Sequence, residues 1–365
     1  MRILHIAETI KGGIASHLDE ILPAQMRQYG SENIILLGPE DHFKYLEAIP
    51  SHVLHPLGGG IERLRRTLHL ARRIQEVQEQ FKPDIIHAHS SLAGAALRIP
   101  LLVRRDRPGI VYCPHGWAFA MDVKPWKRKV YAMLERLMLR VTDAVVNVSN
   151  SERALAIRNG LATQPMRVVH NGVSLESPVA ASTTATGFDP GAINLLFVGR
   201  YSHQKGLDLL LAAARRCTDA NILFHVVGER HEGYDPTADG IPDNVRLYGW
   251  ATRAEVARYL ADADALVMPS RWEGMPMIAL EAMRAYKPII ANDIEIMREI
   301  VTPPENGLLV EAENIDRFAE TLLKLDKAEL ARMGQRARAI FETRFTSTAQ
   351  IAGLDALYRE IRDVA

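Results

Sequence analysis

Cysteine is nearly absent: Cys113 and Cys217 are the whole complement in 365 residues. Two thiols so far apart make neither a disulfide framework nor a metal-ligand spacing, and such sparse use fits a reducing compartment. Aromatic residues are only 6% of the chain. No run approaches the roughly 18 consecutive apolar residues of a membrane-spanning helix. The opening Met1-Arg2-Ile3-Leu4-His5-Ile6-Ala7-Glu8 reaches a carboxylate before any signal-peptide apolar core forms, so a cytoplasmic protein is expected. Neither sign of charge is in excess, with 44 Lys and Arg against 44 Asp and Glu. The rest is ordinary for a soluble globular chain: 47% hydrophobic and 24% charged residues, enough to build real cores.

The zero net charge conceals a split. Residues 1–180 hold 23 Lys and Arg against 17 Asp and Glu, whereas residues 181–365 hold 21 against 27. A basic half suggests that it faces something anionic. Its clusters are Arg63, Arg65, Arg66, Arg72 and Arg73, then Lys124, Lys127, Arg128 and Lys129. Neither run carries an aromatic ladder, an RNP-like pattern or a zinc-finger spacing, which argues against nucleic acid. An anionic membrane surface and plain solvated helix faces are the readings left.

At about 100–200 residues per domain, the length suggests two domains. Apolar runs bounded by turn residues predict strands at Arg2–Glu8, Asn33–Gly38, His52–Leu57, Asp84–His89, Ile110–Pro114, Ala144–Ser149 and Arg167–His170. A second set is predicted at Asn194–Gly199, Ile222–Gly228, Val245–Tyr248, Ala265–Pro269, Pro288–Ala291 and Leu308–Val310. Helix-period stretches such as Ile14–Tyr29, Pro125–Val141 and Met277–Tyr286 lie between them. Near-continuous Val/Ile/Leu strands alternating with helices mean parallel sheets covered on both faces. Ser174–Ala192, rich in Ser, Thr, Ala and Pro, reads as a linker. The expected organisation is α/β, with two Rossmann-like doubly wound domains facing a central cleft. Residues 1–173 form the first, 174–192 the linker and 193–345 the second. A terminal helix over 346–365 crosses back to the first domain. Ligands of such domains sit beyond the carboxyl ends of the strands, over helix N-termini.

Polar and glycine-containing sequence collects at those ends. Lys11-Gly12-Gly13 before the first helix lets a backbone approach a phosphate or sugar closely, although a plain turn reads the same way. Leu196-Phe197-Val198-Gly199-Arg200 is followed by Lys205-Gly206. Gly199 ends a buried strand where a Cβ would block a ligand. Arg200 and Lys205 put two cations in one turn, suited to a pyrophosphate or simply solvated. The most informative stretch is Pro269–Ala282: a strand ends, a loop turns at Gly274, and a helix begins near Pro276, a favoured first helical position. N–H groups at that helix start suit an anion. Glu273 and Glu281 beside it suit sugar hydroxyls, one on a transferred sugar and one on a ribose. Asp262-Ala263-Asp264 copies a metal-binding DxD but precedes its strand at the amino end, so no metal site is expected there. His87 and His89, flanking Ala88, are expected one buried and one facing the cleft, with no metal role.

Together these elements resemble the retaining glycosyltransferases of family 4, which have the GT-B fold. The resemblance rests on the E-x7-E pair Glu273 and Glu281, the FVGR…KG element Phe197–Gly206 and Gly12-Gly13. It also rests on His115-Gly116, Asn171-Gly172-Val173 and Asn306-Gly307-Leu308-Leu309-Val310, in the family's order across almost the whole chain. It implies transfer of a hexose from a UDP-sugar or GDP-mannose to a hydroxyl of a sugar acceptor, with no metal cofactor. Carried over by position, Gly199, Arg200 and Lys205 would hold the donor diphosphate and Glu281 the ribose. Glu273, with the backbone of Gly274, Met275, Pro276 and Met277, would hold the sugar ring and β-phosphate. Gly12 and Gly13 would line the phosphate and acceptor side, and His115 would touch a hydroxyl of the reacting sugar. The base would rest near Gly228, Glu229, Trp250 and Ala251. No carboxylate stands out as the nucleophile of a double displacement, and the resemblance implies front-face attack, with the leaving phosphate taking the acceptor's proton.

The acceptor side belongs to the first domain in this reading, with His17, Trp117 and Asn171 as its candidates. Trp117, Phe119, Met121 and Trp126 beside the Lys124–Lys129 run suit a lipid surface, or else a core helix. The expected acceptor is a lipid-linked saccharide of exopolysaccharide, O-antigen or other cell-envelope glycan synthesis, met at the inner face of the plasma membrane. Two other classes share the architecture. A nucleotide-sugar 2-epimerase lacks the Glu273…Glu281 spacing. A non-catalytic two-lobe sugar- or nucleotide-binding protein has no use for a complete diphosphate-neutralising set.

Overall fold

The computed structural model describes residues 1–57, 63–103, 107–121, 123–177, 186–230 and 233–364. Residues 178–185 of the expected linker, and the side chains of Arg63, Arg65 and Arg66, lie outside the described residues. The chain forms two compact units. One is Met1–Gly172 together with Ser347–Ala365, the other Val173–Thr346.

The first unit is built on β1 (Ile3–Ala7), β2 (Ile34–Gly38), β3 (Leu54–Pro56), β4 (Ile85–His89), β5 (Gly109–Cys113), β6 (Ala144–Asn147) and β7 (Met166–Val168). They form one parallel sheet in the order β3-β2-β1-β4-β5-β6-β7. Every residue of β1, β2, β4 and β5 is buried, which is why these strands read as apolar runs rather than alternating ones. The helices are α1 (Gly13–Tyr29), α2 (Arg63–Phe81), α3 (Ser91–Leu101), α4 (Pro125–Met138) and α5 (Asn150–Arg158).

The second unit repeats the plan. Its strands β8 (Ile193–Val198), β9 (Ile222–Val227), β10 (Val245–Gly249), β11 (Ala265–Met268), β12 (Ile289–Asn292) and β13 (Gly307–Val310) pair in parallel in the order β10-β9-β8-β11-β12-β13. Its helices are α6 (Leu207–Arg215), α7 (Arg253–Asp262), α8 (Met277–Arg284), α9 (Met297–Ile300), α10 (Ile315–Leu323) and α11 (Lys327–Arg344). The last helix, α12 (Ser347–Val364), belongs to the first unit. There Gln28 Nε2 donates to Asp355 at 2.8 Å, Arg167 pairs with Glu360 at 2.7 Å, and His87 Nδ1 meets the Tyr358 hydroxyl at 2.6 Å. In each sheet the strand order reverses beside the unit's first strand, between β1 and β4 and between β8 and β11. Loops leaving neighbouring strands diverge at such points and open a crevice for ligands.

Several expectations change. Trp117 and Phe119 do not meet lipid or ligand: each is 1% exposed, their rings stack at 5.1 Å, and Trp117 Nε1 donates to the Glu152 carbonyl at 3.1 Å. His87 and His89 are both fully buried, because residues two apart on a strand share a face. Helix α8 begins at Met277, with Pro276 at its cap rather than inside its first turn. Asp262 accepts from the Thr186 hydroxyl. Asp264 accepts from the Asn194 N–H at 2.7 Å and pairs with Lys327 at 3.4 Å.

Helix α4 is fixed to the core by one buried charge pair. Arg98 Nη2 donates to Glu135 at 2.8 Å, the Tyr112 hydroxyl donates to the same carboxylate at 3.2 Å, and the guanidinium lies over the Tyr112 ring at 3.6 Å. The Arg98 and Glu135 side chains are 0% and 6% exposed. Glu135→Ala strands the guanidinium, and removing one partner of such a pair costs about 3–5 kcal/mol. Hydrogen exchange of the β4 and β5 amides should speed up by the corresponding factor; unchanged protection would mean the pair is not holding α4.

Candidate functional site

At the carboxyl ends of β8 and β11 two loops are locked together, backbone to backbone. Gly206 has φ +69°, and a Cβ there would lie 2.1 Å from the Pro269 carbonyl oxygen. Only glycine permits both that conformation and that approach. Arg271 then ties the loops together: its amide donates to the Gln204 carbonyl at 2.8 Å, and its guanidinium donates to the His203 carbonyl at 2.7 Å. The same guanidinium grips Asp208 through two bonds of 3.0 and 2.7 Å. Burial pushes the Asp208 carboxyl up, but hydrogen bonds, those from Arg271 foremost, and the Arg271 charge together outweigh it and hold it below its usual value. Gln204 Nε2 donates to the Trp272 carbonyl at 3.0 Å.

Lys205 and Glu273 meet inside this frame. Lys205 Nζ donates to Glu273 Oε1 at 2.7 Å, with 18% and 6% of the two side chains exposed. An ammonium has three donors, so two remain for a ligand. A Cβ at Gly199 would lie in ordinary contact with the Lys205 side chain, at 3.4 Å. Arg200 is exposed beside it, and no hydrogen bond or ion pair engages it among the described residues. Gly274 to Met277 lead into α8, whose first turn has no side-chain cap. Glu281 sits half-buried on the same helix. Gly228 and Gly249 close the neighbouring strand ends, the first amide donating to the second carbonyl at 2.7 Å. The Glu229 carbonyl accepts from the Tyr201 amide at 2.9 Å, and Trp250 is 56% exposed beside half-buried Ala251. Thus the predicted donor-side residues from Gly199 to Glu281 lie on the strand ends of one sheet and on the loops and helix that follow them. The supports Arg271, Asp208 and Gln204 were not legible, because an ion pair between a loop and a helix 63 residues apart leaves no mark in local pattern.

The first unit carries a second constellation at its own switch point. Gly12, at φ +57°, caps the bare start of α1, and Gly13 is its first residue. Register places His5 beside His87 and Ala7 beside His89. His5 Nδ1 meets His89 Nε2 at 3.0 Å, and His89 Nδ1 meets His115 Nε2 at 2.9 Å. His17 Nδ1 meets Asn171 Oδ1 at 3.1 Å, so two acceptor-side candidates are together, both buried. His115 is half-buried and held in the left-handed region at φ +50°, strain of a kind that persists only where the surroundings enforce it. Glu152 enforces it: its carboxylate accepts from the Gly116 amide at 2.6 Å and the Val148 amide at 2.7 Å. The Ser149-x-x-Glu152 cap, Ser149 accepting from the Glu152 amide at 3.1 Å, is the sequence signal that marks it.

Residues 182–340 match the family described as Glycosyl transferases group 1, and residues 11–177 match Glycosyltransferase Family 4. A 41.2 kDa protein of the cps region of Klebsiella pneumoniae is 31% identical over 88% of this chain and 89% of its own length. The Escherichia coli UDP-Gal:alpha-D-GlcNAc-diphosphoundecaprenol alpha-1,3-galactosyltransferase is 28% identical over 76% of this chain and 75% of its own length. Anabaena HepE, solved in complex with UDP-glucose, superposes with a TM-score of 0.75 at 19% identity, covering 100% of this chain and 99% of that one. The sucrose-phosphate synthase of Thermosynechococcus elongatus does so with a TM-score of 0.82 at 20% identity, covering 100% of both chains. The chain is a glycosyltransferase of the group 1, family 4 type, with the GT-B fold.

Burial makes the imidazoles of the first unit poor bases. It is the leading cause of the downward shift at each, taking His5 to about 3 and His17 to about 4, with His87, His89 and His115 also well below the ordinary value. A depressed histidine pKa means the unfolded chain takes up the proton first. Stability is therefore full above about pH 6.5 and is lost as pH falls toward the folded values, by about 1.4 kcal/mol per pH unit for each imidazole. Protection factors of the β1 and β4 amides, corrected for the intrinsic exchange rate at each pH, should fall steeply between pH 6.5 and 5, and His17→Asn should flatten that dependence. A flat profile in the parent protein would contradict neutral burial.

Proposed function

We propose that the chain is a retaining, metal-independent hexosyltransferase. It moves a sugar from a UDP-sugar to a hydroxyl of a lipid-linked saccharide in cell-envelope polysaccharide synthesis. The observation that carries this is the Lys205–Glu273 pair, seated at a sheet switch point beside exposed Arg200 and the uncapped start of α8. Breaking a sugar–diphosphate bond develops negative charge on the leaving group. Arg200, the two spare donors of Lys205 and the α8 amides stabilise that charge electrostatically. Glu273, oriented by Lys205, accepts from a hydroxyl of the transferred sugar, and Glu281 accepts from the ribose. His115, kept neutral by burial, hydrogen-bonds a sugar hydroxyl without adding charge. The acceptor attacks from the face the diphosphate leaves, and the leaving phosphate takes its proton.

The uridine donor is supported by the name of the E. coli relative and by the UDP-glucose bound in HepE, and the lipid-linked acceptor by the former. Helix α4 supports a membrane-side acceptor. Trp126, Val130, Met133, Leu134 and Leu137 recur along one stripe and are 38% to 60% exposed. Lys124, Lys127, Arg128 and Lys129 crowd the start of that helix. Apolar insertion beside lysines facing lipid phosphates makes a peripheral contact with an anionic cytoplasmic leaflet. Among the described residues no helix is long and apolar enough to cross a membrane.

Thermal shift against UDP, GDP and ADP, with and without EDTA, tests the donor. UDP should stabilise the protein regardless of EDTA. A preference for GDP would reassign the donor to GDP-mannose, and stabilisation lost with EDTA would defeat metal independence. Lys205→Ala should lower turnover by on the order of 10²–10³-fold, and Glu281→Ala should weaken UDP binding by about 1.5–3 kcal/mol. Near-parental turnover in the lysine variant would sink the diphosphate assignment. Trp126→Ser with Met133→Ser should abolish co-sedimentation with anionic vesicles; retained sedimentation would remove α4 from the membrane.

A further inference from the structure

Five imidazoles, His5, His17, His87, His89 and His115, crowd together in the first unit, and the transfer reaction asks something of His115 alone. Four of them are 0–2% exposed. One ring nitrogen from each of His17, His89 and His115 lies within 4.8 Å of the other two. The hydrogen bonds around them decide which nitrogens carry lone pairs.

His17 Nδ1 lies 3.1 Å from both Asn171 Oδ1 and Gln350 Nε2, so it either donates to the first or accepts from the second, and its other nitrogen decides for donation. The opposite assignment would leave a buried N–H with no acceptor, since His17 Nε2 is fully buried and has no hydrogen-bond partner. An unpaired buried donor is the costlier state, so Nε2 holds a bare lone pair. His89 is oriented in the same manner. Its Nε2 donates to His5 Nδ1 at 3.0 Å, and His5 Nε2 donates to Gln25 Oε1 at 2.8 Å, which leaves His89 Nδ1 as an acceptor toward His115. Two imidazoles thus have the outer nitrogen fixed by a partner and an inner lone pair, bare on His17 and accepting from His115 on His89. That is how metal-bound histidines are held.

We propose that His17, His89 and His115 form a binding site for a divalent transition-metal ion of the zinc type. His17 Nε2, His89 Nδ1 and His115 Nε2 are the donors. His115 moves its proton from Nε2 to Nδ1 as it turns from donor to ligand, so the three rings stay neutral and the ion keeps its full charge. Zn–N bonds of about 2.0–2.1 Å require nitrogens about 3.4 Å apart in a tetrahedral site. The three rings approach that spacing by small side-chain rotations. Three imidazoles select zinc, cobalt, nickel or copper over magnesium and calcium, which prefer oxygen. The fourth position is left for water or a small ligand. Half-buried His115 is the entry side.

Tag-free full-length protein, stripped with chelator, is titrated with Zn²⁺ by calorimetry and with Co²⁺ by visible absorption. One ion per chain and the intense visible bands of four-coordinate cobalt are expected. His17→Ala and His115→Asn, the latter keeping a residue tolerant of the left-handed backbone, should each weaken binding more than 100-fold. Asn171→Ala, which frees the His17 ring, should weaken it about 10–100-fold. His87→Gln should leave it unchanged. No stoichiometric binding by the folded parent protein overturns the proposal. So does binding that survives His17→Ala, and so does binding lost in His87→Gln, which would move the ion to His5, His87 and His89. Far-ultraviolet circular dichroism confirms that each variant is folded. UDP binding is read on the same samples, so a wrong donor assignment and a wrong metal assignment fail separately.

Discussion

The approach of Gly206 to the Pro269 carbonyl is the constraint on which the second unit's site depends. A single Cβ would force apart the loops that follow β8 and β11. Without that closeness, Arg271 has no path to the Gln204 and His203 carbonyls, and Lys205 cannot reach Glu273. Charge is placed here by sterics first and by attraction second. Attraction alone would be a poor organiser, because two oppositely charged side chains on mobile loops gain little over water. Held by the backbone and shielded to 6% exposure at Glu273, the pair acts at lower dielectric, where its orientation matters to a ligand.

The strands were legible because burial on both faces leaves an apolar run that few other structures share. Among the described residues, thirteen strands overlap the runs that predicted them. The residues proposed for the donor stood out as candidates for a related reason: glycine pairs, cations and carboxylates interrupt apolar sequence where strands end. The histidine cluster did not. His5 lies 84 residues before His89 in sequence, and parallel register alone brings it beside His87 and His89. Trp117 and Phe119 misled because an aromatic pair next to basic residues reads the same in a core as on a lipid-facing surface. The distinguishing fact, the Trp117 Nε1 bond to Glu152, is a tertiary one.

The two units treat charge in opposite ways. The second concentrates ionised groups at its strand ends, where an anionic ligand would be welcome. The first lines its corresponding strand ends with imidazoles kept neutral by burial, groups that can hydrogen-bond a polar partner or donate a lone pair without attracting a phosphate. A buried Glu152 carboxylate there is spent on backbone amides. One doubly wound scaffold therefore presents paired ionised side chains at the strand ends of one unit and neutral, nitrogen-rich ones in the other.

The terminal helix has a consequence for how the chain is made. The second unit is one continuous stretch of sequence, whereas the first needs residues 347–364 to finish it. During synthesis, β4 and β5 emerge long before the residues that cover them. Until Tyr358 arrives, His87 Nδ1 lacks its buried partner, and until Ile361 arrives the space beside Gly109 is open. Domains made first usually fold first. Here the later unit can complete itself while the earlier one waits, and a ribosome that stops short of α12 releases a chain whose first sheet still has an uncovered seam.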